Sequence, residues 1–540
     1  MDYLSNLNEM QKEAVLHKSG PLLILAGAGS GKTRVITSRV LHLIKEGVAP
    51  ERILAITFTN KAAKEMKDRI SALLLKDNNR DFTISFGERP FVSTFHSLGV
   101  YLLRENHSIL GLPKHFTIFD RNDSLSALKE GMRNIGLDPK QHDAGKMLGA
   151  ISRKKNEMQE FKEVGNYFEK LLSSVAREYG EILKREKALD FDDLLLKTLE
   201  LFENDDVLDK YQERWQFIHI DEYQDTNLVQ YLISKKLSLK HKNICVVGDA
   251  DQNIYSWRGA DIRNILNFEE DYPGAKVINL EENYRSTGNI IEAANNVIEK
   301  NNTRYKKNLF TSNPKGEKIS IYEATSEKDE AEFIVTKSKE LIKNGVRPSD
   351  IAVFYRANFQ SRILEECFLK QDVPYQVLGT RFFERKEIKD VLAYISSAKN
   401  DENLTALRRI INVPPRGIGK TSLVKILSGD IKGLNSAPAR SYQNFISMMS
   451  EIKNKITNSK PSDVVMFVAK ISGIEKEMKD AGDDGAERLF NIKELANLAR
   501  KYDSLDGNEG ILKFLEESVL TTDQDELKEN KDGVKLMTVH

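Results

Sequence analysis

The sequence predicts an α/β protein built on buried parallel sheets, with each sheet core interrupted by a long helical insertion. Three observations lead there. Short apolar runs at 21–25, 53–58, 217–220, 244–247 and 277–280 each end in a polar or glycine-rich loop. Strands without polar alternation suit a parallel sheet covered on both faces. Charge-rich, helix-like sequence at about 100–190 and again at about 385–530 breaks the strand series. After about residue 280 a second α/β texture begins, with strand candidates at 318–322 and 351–355 around a helix at 327–344.

Taken in order, the first apolar run leads into Ala26-Gly27-Ala28-Gly29-Ser30-Gly31-Lys32-Thr33 and then a helix at 34–46. A strand, a glycine-rich loop and a helix in succession make a phosphate cradle. Residues without side-chain bulk let backbone N–H groups turn inward, the helix N-terminus favours an anion, the lysine reaches the β- and γ-phosphates, and the hydroxyl suits Mg2+. The strict pattern has glycine where Ala26 stands. The run at 217–220 ends in Asp221-Glu222-Tyr223-Gln224-Asp225, which puts adjacent carboxylates at a strand end. Asp221 suits the Mg2+ shell and Glu222 a general base on the attacking water.

The run at 244–247 empties into a loop, 248–259, that carries Gln252, Tyr255, Trp257 and Arg258. Gln252 is within range of a γ-phosphate sensor role. Aromatics interleaved with arginine can stack bases and hold phosphates, or Tyr255 and Trp257 can be packing residues; both readings stay open on sequence. A second Gly419-Lys420-Thr421 is a decoy, because Pro414 and Pro415 stand where a supple loop is needed. Its turn, Arg416-Gly417-Ile418-Gly419, either offers backbone amides to a nucleic-acid phosphate or simply joins two helices. A final strand-like run at 533–539 is expected to lack covering neighbours and to leave an uncovered sheet edge.

Composition narrows the class. With 540 residues, three or four domains are expected. Hydrophobic residues make up 40% and charged residues 30%, so the chain has ample core and is too apolar for disorder. Lys+Arg and Asp+Glu are both 81, so a polyanion must be held by local patches. Cys245 and Cys367 are too few and too far apart for a zinc cluster or disulfide framework. Nothing reads as a membrane span or a secretory leader, and a reducing cytoplasm is the expected location.

Six spaced motifs together carry a resemblance. They are 26–33, Thr57-Phe58-Thr59-Asn60-Lys61-Ala62-Ala63, Thr94-Phe95-His96-Ser97, 221–225, 248–259 and Glu282-Asn283-Tyr284-Arg285-Ser286-Thr287. In this order, spread over nearly the whole chain, they resemble the UvrD/Rep/PcrA-type superfamily 1 DNA helicases. The resemblance implies two RecA-like P-loop NTPase motor domains, each with a mainly helical insertion. Domain 1A would comprise 1–95 and 190–280, 1B 96–189, 2A 281–383 and 534–540, and 2B 384–533. It implies that Gln11 reads the adenine edge and that Arg34 and Tyr284 sandwich the ring. Lys32 and residues 26–33 would hold phosphates, Thr33 and Asp221 Mg2+, Glu222 would activate water, Gln252 would sense the γ-phosphate and Arg285 would act as an arginine finger. For DNA it implies stacking on Phe58, Tyr255 and Trp257, with backbone contacts from Asn60, His96, Arg258 and Arg356. Gly417 and Gly419 fall in a segment resembling the duplex-contacting turn of 2B.

The implied activity is ATP-dependent 3′–5′ translocation on single-stranded DNA with strand separation, in repair or replication. The implied partners are single strands, duplex/single-strand junctions and repair or replication proteins, with the chain acting as a monomer or a DNA-induced dimer. The run at 534–540 matches the start of the family's fifth motif. The rest of that motif and the arginine-bearing sixth do not follow, so the second motor is expected to be incomplete. A nucleotide-switched single-strand-binding module without productive hydrolysis is the alternative, against which the Asp221-Glu222 pair and Arg285 argue. A metabolic P-loop kinase would have no use for the two insertions.

Overall fold

The computed structural model describes residues 3–75, 89–139, 141–161, 166–256, 259–301, 304–357, 360–378, 383, 385–480, 483–520 and 532–539. Six strands form the first sheet: β1 (Leu22–Ala26), β2 (Ile53–Thr57), β3 (Phe91–Thr94), β6 (Phe217–Ile220), β7 (Ile244–Gly248) and β8 (Lys276–Leu280). Their order is β3-β2-β6-β7-β1-β8, and every pairing is parallel. The apolar runs are explained by what each face meets. Leu23, Leu25, Leu54, Ile56, Ile218, Ile220, Ile244 and Val246 enter one core. Leu22, Ile24, Ala26, Ile53, Ala55, Cys245 and Val247 enter the other. Successive side chains of a strand point to opposite faces, so a sheet with helices on both sides needs apolar residues at every position. Each fully buried Leu, Ile or Val contributes roughly 1.5–3 kcal/mol.

Between β3 and β6 the chain builds a short parallel pair, β4 (Thr117–Ile118) and β5 (Ala188–Leu189). Helices Arg121–Asn134, Ala144–Asn156 and Tyr167–Arg185 surround a separate core that includes Leu128, Met132, Val175 and Tyr179. The helix Phe95–Glu105 instead packs Leu98, Leu102 and Leu103 into the core of the large sheet.

A second sheet holds β9 (Ala352–Tyr355), β10 (Tyr375–Val377) and β11 (Val534–Thr538) in the order β10-β11-β9, all parallel. This corrects two expectations. The last strand is central rather than an edge, and its Val534 and Leu536 are buried against Val335, Leu364 and Phe368. The uncovered surface is the opposite face, where Phe354 is 61% exposed. Residues 318–322 form no strand: Ile319 and Ile321 are exposed, and no strand among the described residues pairs with them. Alternating apolar residues specify a strand only where a neighbour satisfies their backbone groups. The predicted helix at 327–344 is present as Glu327–Lys343.

Among the described residues, eight α-helices between Lys386 and Leu520 enclose a further core that includes Val391, Ile395, Ile452, Val464 and Leu495. Here the decoy is confirmed by geometry. Gly419 caps the helix Lys420–Leu427 with φ −72°, without the left-handed turn that Gly31 makes. Arg416 folds inward, donating to Tyr394 Oη at 2.6 Å and to the Ser472 carbonyl at 2.8 Å.

Candidate nucleotide site and aromatic cavity

All six strands of the large sheet are parallel, so their C-terminal ends share one edge, the usual ligand side of such sheets. β1 ends at the glycine-rich loop, β2 at Phe58 and Asn60, β3 at His96, β6 at Asp221 and Glu222, β7 at Asp249 and Gln252, and β8 at 281–285. Residues far apart in sequence are thus assembled by topology alone.

The loop after β1 turns on Gly29 and Gly31, with φ of +67° and +87°. Ser30 Oγ donates to the Gly27 carbonyl at 2.7 Å. Gly31 has no side chain to cap the helix Lys32–Lys45, so the first-turn amides of that helix are available to an anion. Space is tight on the other side. A Cβ on Gly29 would lie 2.6 Å from Asn283 Nδ2 and 2.9 Å from Arg285 Cβ, and one on Gly27 would lie 2.1 Å from Leu309 Cδ2.

Lys32 Nζ lies 2.9 Å from Glu222 Oε2 and 3.3 Å from Gln252 Oε1. Glu222 occupies the left-handed region at φ 52°, an unusual conformation for this residue that re-aims the chain immediately after β6. Its N–H donates to Asp221 Oδ1 at 3.0 Å. Burial and the neighbouring Glu222 push the Asp221 carboxyl up to about 7, opposed by Lys32, the Glu222 N–H and the Thr33 hydroxyl. Asp225 is likewise raised to about 7, first by burial and then by Glu222. The Thr33 hydroxyl and Asp221 carboxylate form a hard-oxygen pair suited to Mg2+, which commonly completes its shell with water and phosphate oxygens. Among the described residues no group of three or more His, Cys, Asp or Glu side chains could hold a metal. A Mg2+ ion held chiefly by its phosphate fits that donor set.

On the outer side of the loop, Gln11 is buried and donates from Nε2 to the Ser30 carbonyl at 2.8 Å, while its Oε1 accepts from the Asn8 N–H. Asn8 Nδ2 reaches Tyr284 Oη at 2.8 Å and Glu282 Oε2 at 3.0 Å. Tyr284 is half-exposed, and its hydroxyl is pushed up to about 12, first by burial and then by Glu282. Arg34 acts electrostatically on the same ring hydroxyl. The backbone N–H of Tyr284 donates to the Gly29 carbonyl at 3.0 Å, and Arg285 is exposed beside Gly29. Gln11, Arg34, Tyr284 and Arg285 therefore converge on the loop.

The edge also borders a cavity of about 1020 Å³, lined by Phe58, Asn60, His96 and Tyr255 and closed by residues of both helical units, including Asp123, Ser152, Lys389 and Asn400. Phe58 and Tyr255 stack with ring centroids 5.3 Å apart and 27° between planes. Both are half-buried and line the cavity rather than a sealed core. His96 sits edge-on to Phe191, and burial lowers it to about 4. It is neutral near pH 7, and any contact it makes there is a hydrogen bond, not a charge. Trp257 and Arg258 lie outside the described residues. Arg356 is exposed at the end of β9, and Gly417 and Gly419 are exposed on the second helical unit. None of these three lines the cavity.

Several residues were given no role by sequence reasoning. Gln224 donates to Glu222 Oε2 at 2.9 Å and accepts from the Asp249 N–H at 2.9 Å. Asn283 Nδ2 donates to the Ala28 carbonyl at 2.6 Å, and its Oδ1 accepts from the N–H groups of Arg285 and Ser286. Both belong to the recognised motifs, which was the available signal. Lys307 and Arg304, bound to Asp249 and Asp251, belong to none.

Comparison with known proteins agrees with this arrangement. Residues 7–273 match the UvrD/REP helicase N-terminal domain and residues 278–540 the UvrD-like helicase C-terminal domain. The chain is 42% identical over 576 residues to a Bacillus subtilis protein named ATP-dependent DNA helicase PcrA, covering 100% of this chain and 77% of that relative. Relatives of the same name from Staphylococcus aureus and Staphylococcus epidermidis are also 42% identical over 562 residues, covering 99% of this chain and 76% of theirs. The chain belongs to the UvrD/REP helicase family.

Proposed function

We propose that this protein is an ATP-dependent DNA helicase that moves 3′ to 5′ along single-stranded DNA, in DNA repair or replication. The observation that supports it best is the loop after β7. One short stretch holds Gln252 against Lys32 in the nucleotide site and Tyr255 against Phe58 in the cavity. A change at one end must be felt at the other.

In this reading 1–95 and 190–280 form motor 1A, 96–189 its insertion 1B, 281–383 and 534–540 motor 2A, and 384–533 its insertion 2B. The amides of 27–33 and Lys32 hold the ATP phosphates, and Gln11, Arg34 and Tyr284 hold the base. Thr33 and Asp221 would hold Mg2+, which when bound neutralises charge on the phosphate oxygens. Glu222 takes the proton of the attacking water, Gln252 orients it, and Arg285 stabilises charge on the transferring phosphoryl group. A phosphate arriving at the loop competes with Glu222 for the Lys32 ammonium, and as that ion pair loosens the Glu222 carboxylate is freed to face the attacking water. Phe58 and Tyr255, with Trp257, stack bases, while Asn60, His96, Arg258 and Arg356 contact the strand. Gly417 and Gly419 offer backbone amides to the duplex ahead of it.

Tailed duplexes test the direction. With ATP and Mg2+, a duplex with a 3′ single-stranded tail is expected to be separated and one with only a 5′ tail left intact. The reverse preference would overturn the polarity.

A further inference from the structure

We propose that Lys307, supported by Arg304, is a positioning residue for hydrolysis: it fixes the Asp249 carboxylate that sets which end of the Gln252 amide faces the reacting groups. The inference rests on the reading that this site hydrolyses ATP.

The side chains in the site close a ring. Lys32 Nζ donates to Gln252 Oε1 at 3.3 Å and Gln252 Nε2 donates to Asp249 Oδ2 at 2.6 Å. The Asp249 N–H donates to Gln224 Oε1 at 2.9 Å, Gln224 Nε2 donates to Glu222 Oε2 at 2.9 Å, and Glu222 returns to Lys32 at 2.9 Å. Every amide in this ring has a defined orientation. A side-chain amide has a donor end and an acceptor end, and Gln252 can present its oxygen toward Lys32 only while Asp249 takes the nitrogen. An ionised carboxylate enforces this because it only accepts.

Asp249 is 2% exposed. A carboxylate so buried needs a partner charge to stay ionised. Lys307, itself 5% exposed, faces it in a direct ion pair and also lies 3.0 Å from Asp251; burial and Lys32 lower its ammonium to about 7, so the geometry of the two carboxylates around it, not its intrinsic basicity, carries the assignment. Arg304 reaches Asp251 at 2.9 Å. The Asp251 N–H donates to Asp249 Oδ1 at 2.9 Å, so the two cations and two carboxylates clamp the turn Ala250–Gln252.

The cations arrive from elsewhere in the chain. They lie beyond the helix Gly288–Ile298, on a segment that runs back over the large sheet's C-terminal edge. Tyr305 Oη donates to the Leu266 carbonyl at 3.0 Å, the Asn308 N–H donates to Glu281 Oε1 at 2.8 Å, and Leu309 lies against Gly27. This strap joins the glycine-rich loop to the loop after β7. Displacing it would withdraw Lys307 and release the Gln252 amide to rotate.

Three variants test this: Lys307→Arg, Lys307→Met, and Lys307→Met combined with Asp249→Asn, which leaves no buried unpaired charge. The readouts are kcat and KM for ATP with saturating oligo-dT, the thermal melting profile, and the change in oligo-dT affinity on adding the analogue AMPPNP. The double variant is expected to melt as wild type with KM within about threefold, but to lose at least tenfold in kcat and most of the AMPPNP-induced change in oligo-dT affinity. Lys307→Arg should recover most of both. A folded double variant with wild-type kcat and wild-type response to AMPPNP would overturn the proposal, as would losses in all three variants that merely track melting temperature. Absence of ATP turnover in the unmodified protein would instead overturn the hydrolytic reading beneath it.

Discussion

At the scale of single residues, Lys32 and Glu222 form a partly buried ion pair, so removing either one disturbs the other. Lys32→Ala is expected to cost on the order of 3 kcal/mol in the transition state, more than a hundredfold in ATP turnover, through loss of a charge aimed at the phosphoryl group. Glu222→Gln should keep affinity for a fluorescent ATP analogue while losing turnover by about 10²–10⁴-fold, the usual worth of a general base. Near-normal turnover in the glutamine variant would place the base elsewhere. A second test uses Asp123, whose carboxyl is pushed up to about 7 by burial and by Asp120. Asp120 pairs with Lys389 at 2.6 Å. Because the folded pKa exceeds the unfolded value near 4, the native state holds the extra proton between them, and stability falls as pH rises through that window. Asp123→Asn should therefore gain stability over wild type from pH 5 to pH 8, read by thermal denaturation at each pH, and a pH-independent difference would contradict the assignment. Lys32, Thr33, Asp221, Glu222 and Gln252 were legible in sequence because each lies in a short motif with its own chemistry. Lys307 was not, since its partner Asp249 is 58 positions away in sequence and no local pattern marks it.

At the scale of elements, the Phe58–Tyr255 stack joins the ends of β2 and β7 at the cavity mouth. Tyr255→Ala is expected to weaken single-stranded DNA binding by about 1–3 kcal/mol with little base preference. Fluorescence anisotropy at fixed salt checks this; unchanged affinity together with lowered stability would make the ring a packing residue. The strands of the large sheet were legible because burial on both faces leaves a continuous apolar run. Residues 318–322 misled for a related reason. Ile319 and Ile321 alternate as a half-buried strand would, yet no strand among the described residues pairs with them, and sequence periodicity does not say whether a neighbour exists. The place of β11 between β9 and β10 was hidden in the same way, because strand order is a long-range property.

At the scale of the whole molecule, the second helical unit meets the first through polar contacts. Lys389 pairs with Asp120, Arg408 with Glu130 and Lys187 with Glu402, while the Thr405 N–H donates to Glu186 Oε2 at 3.0 Å. Contacts of this kind are weakened by salt, with a screening length of roughly 3 Å at 1 M. Raising salt toward about 1 M should speed amide exchange at 400–408 while leaving the apolar core around Ile452 and Val464 protected; equal protection at both salts would mean the contact is not electrostatic. The nucleotide site and the cavity share one sheet edge, so nucleotide turnover and strand binding are expected to be coupled. Steady-state ATP hydrolysis measured with and without single-stranded DNA reads this coupling. Strong stimulation by DNA, abolished by Glu222→Gln, is the predicted result; ATP binding that alters DNA affinity without any DNA-stimulated turnover would contradict it.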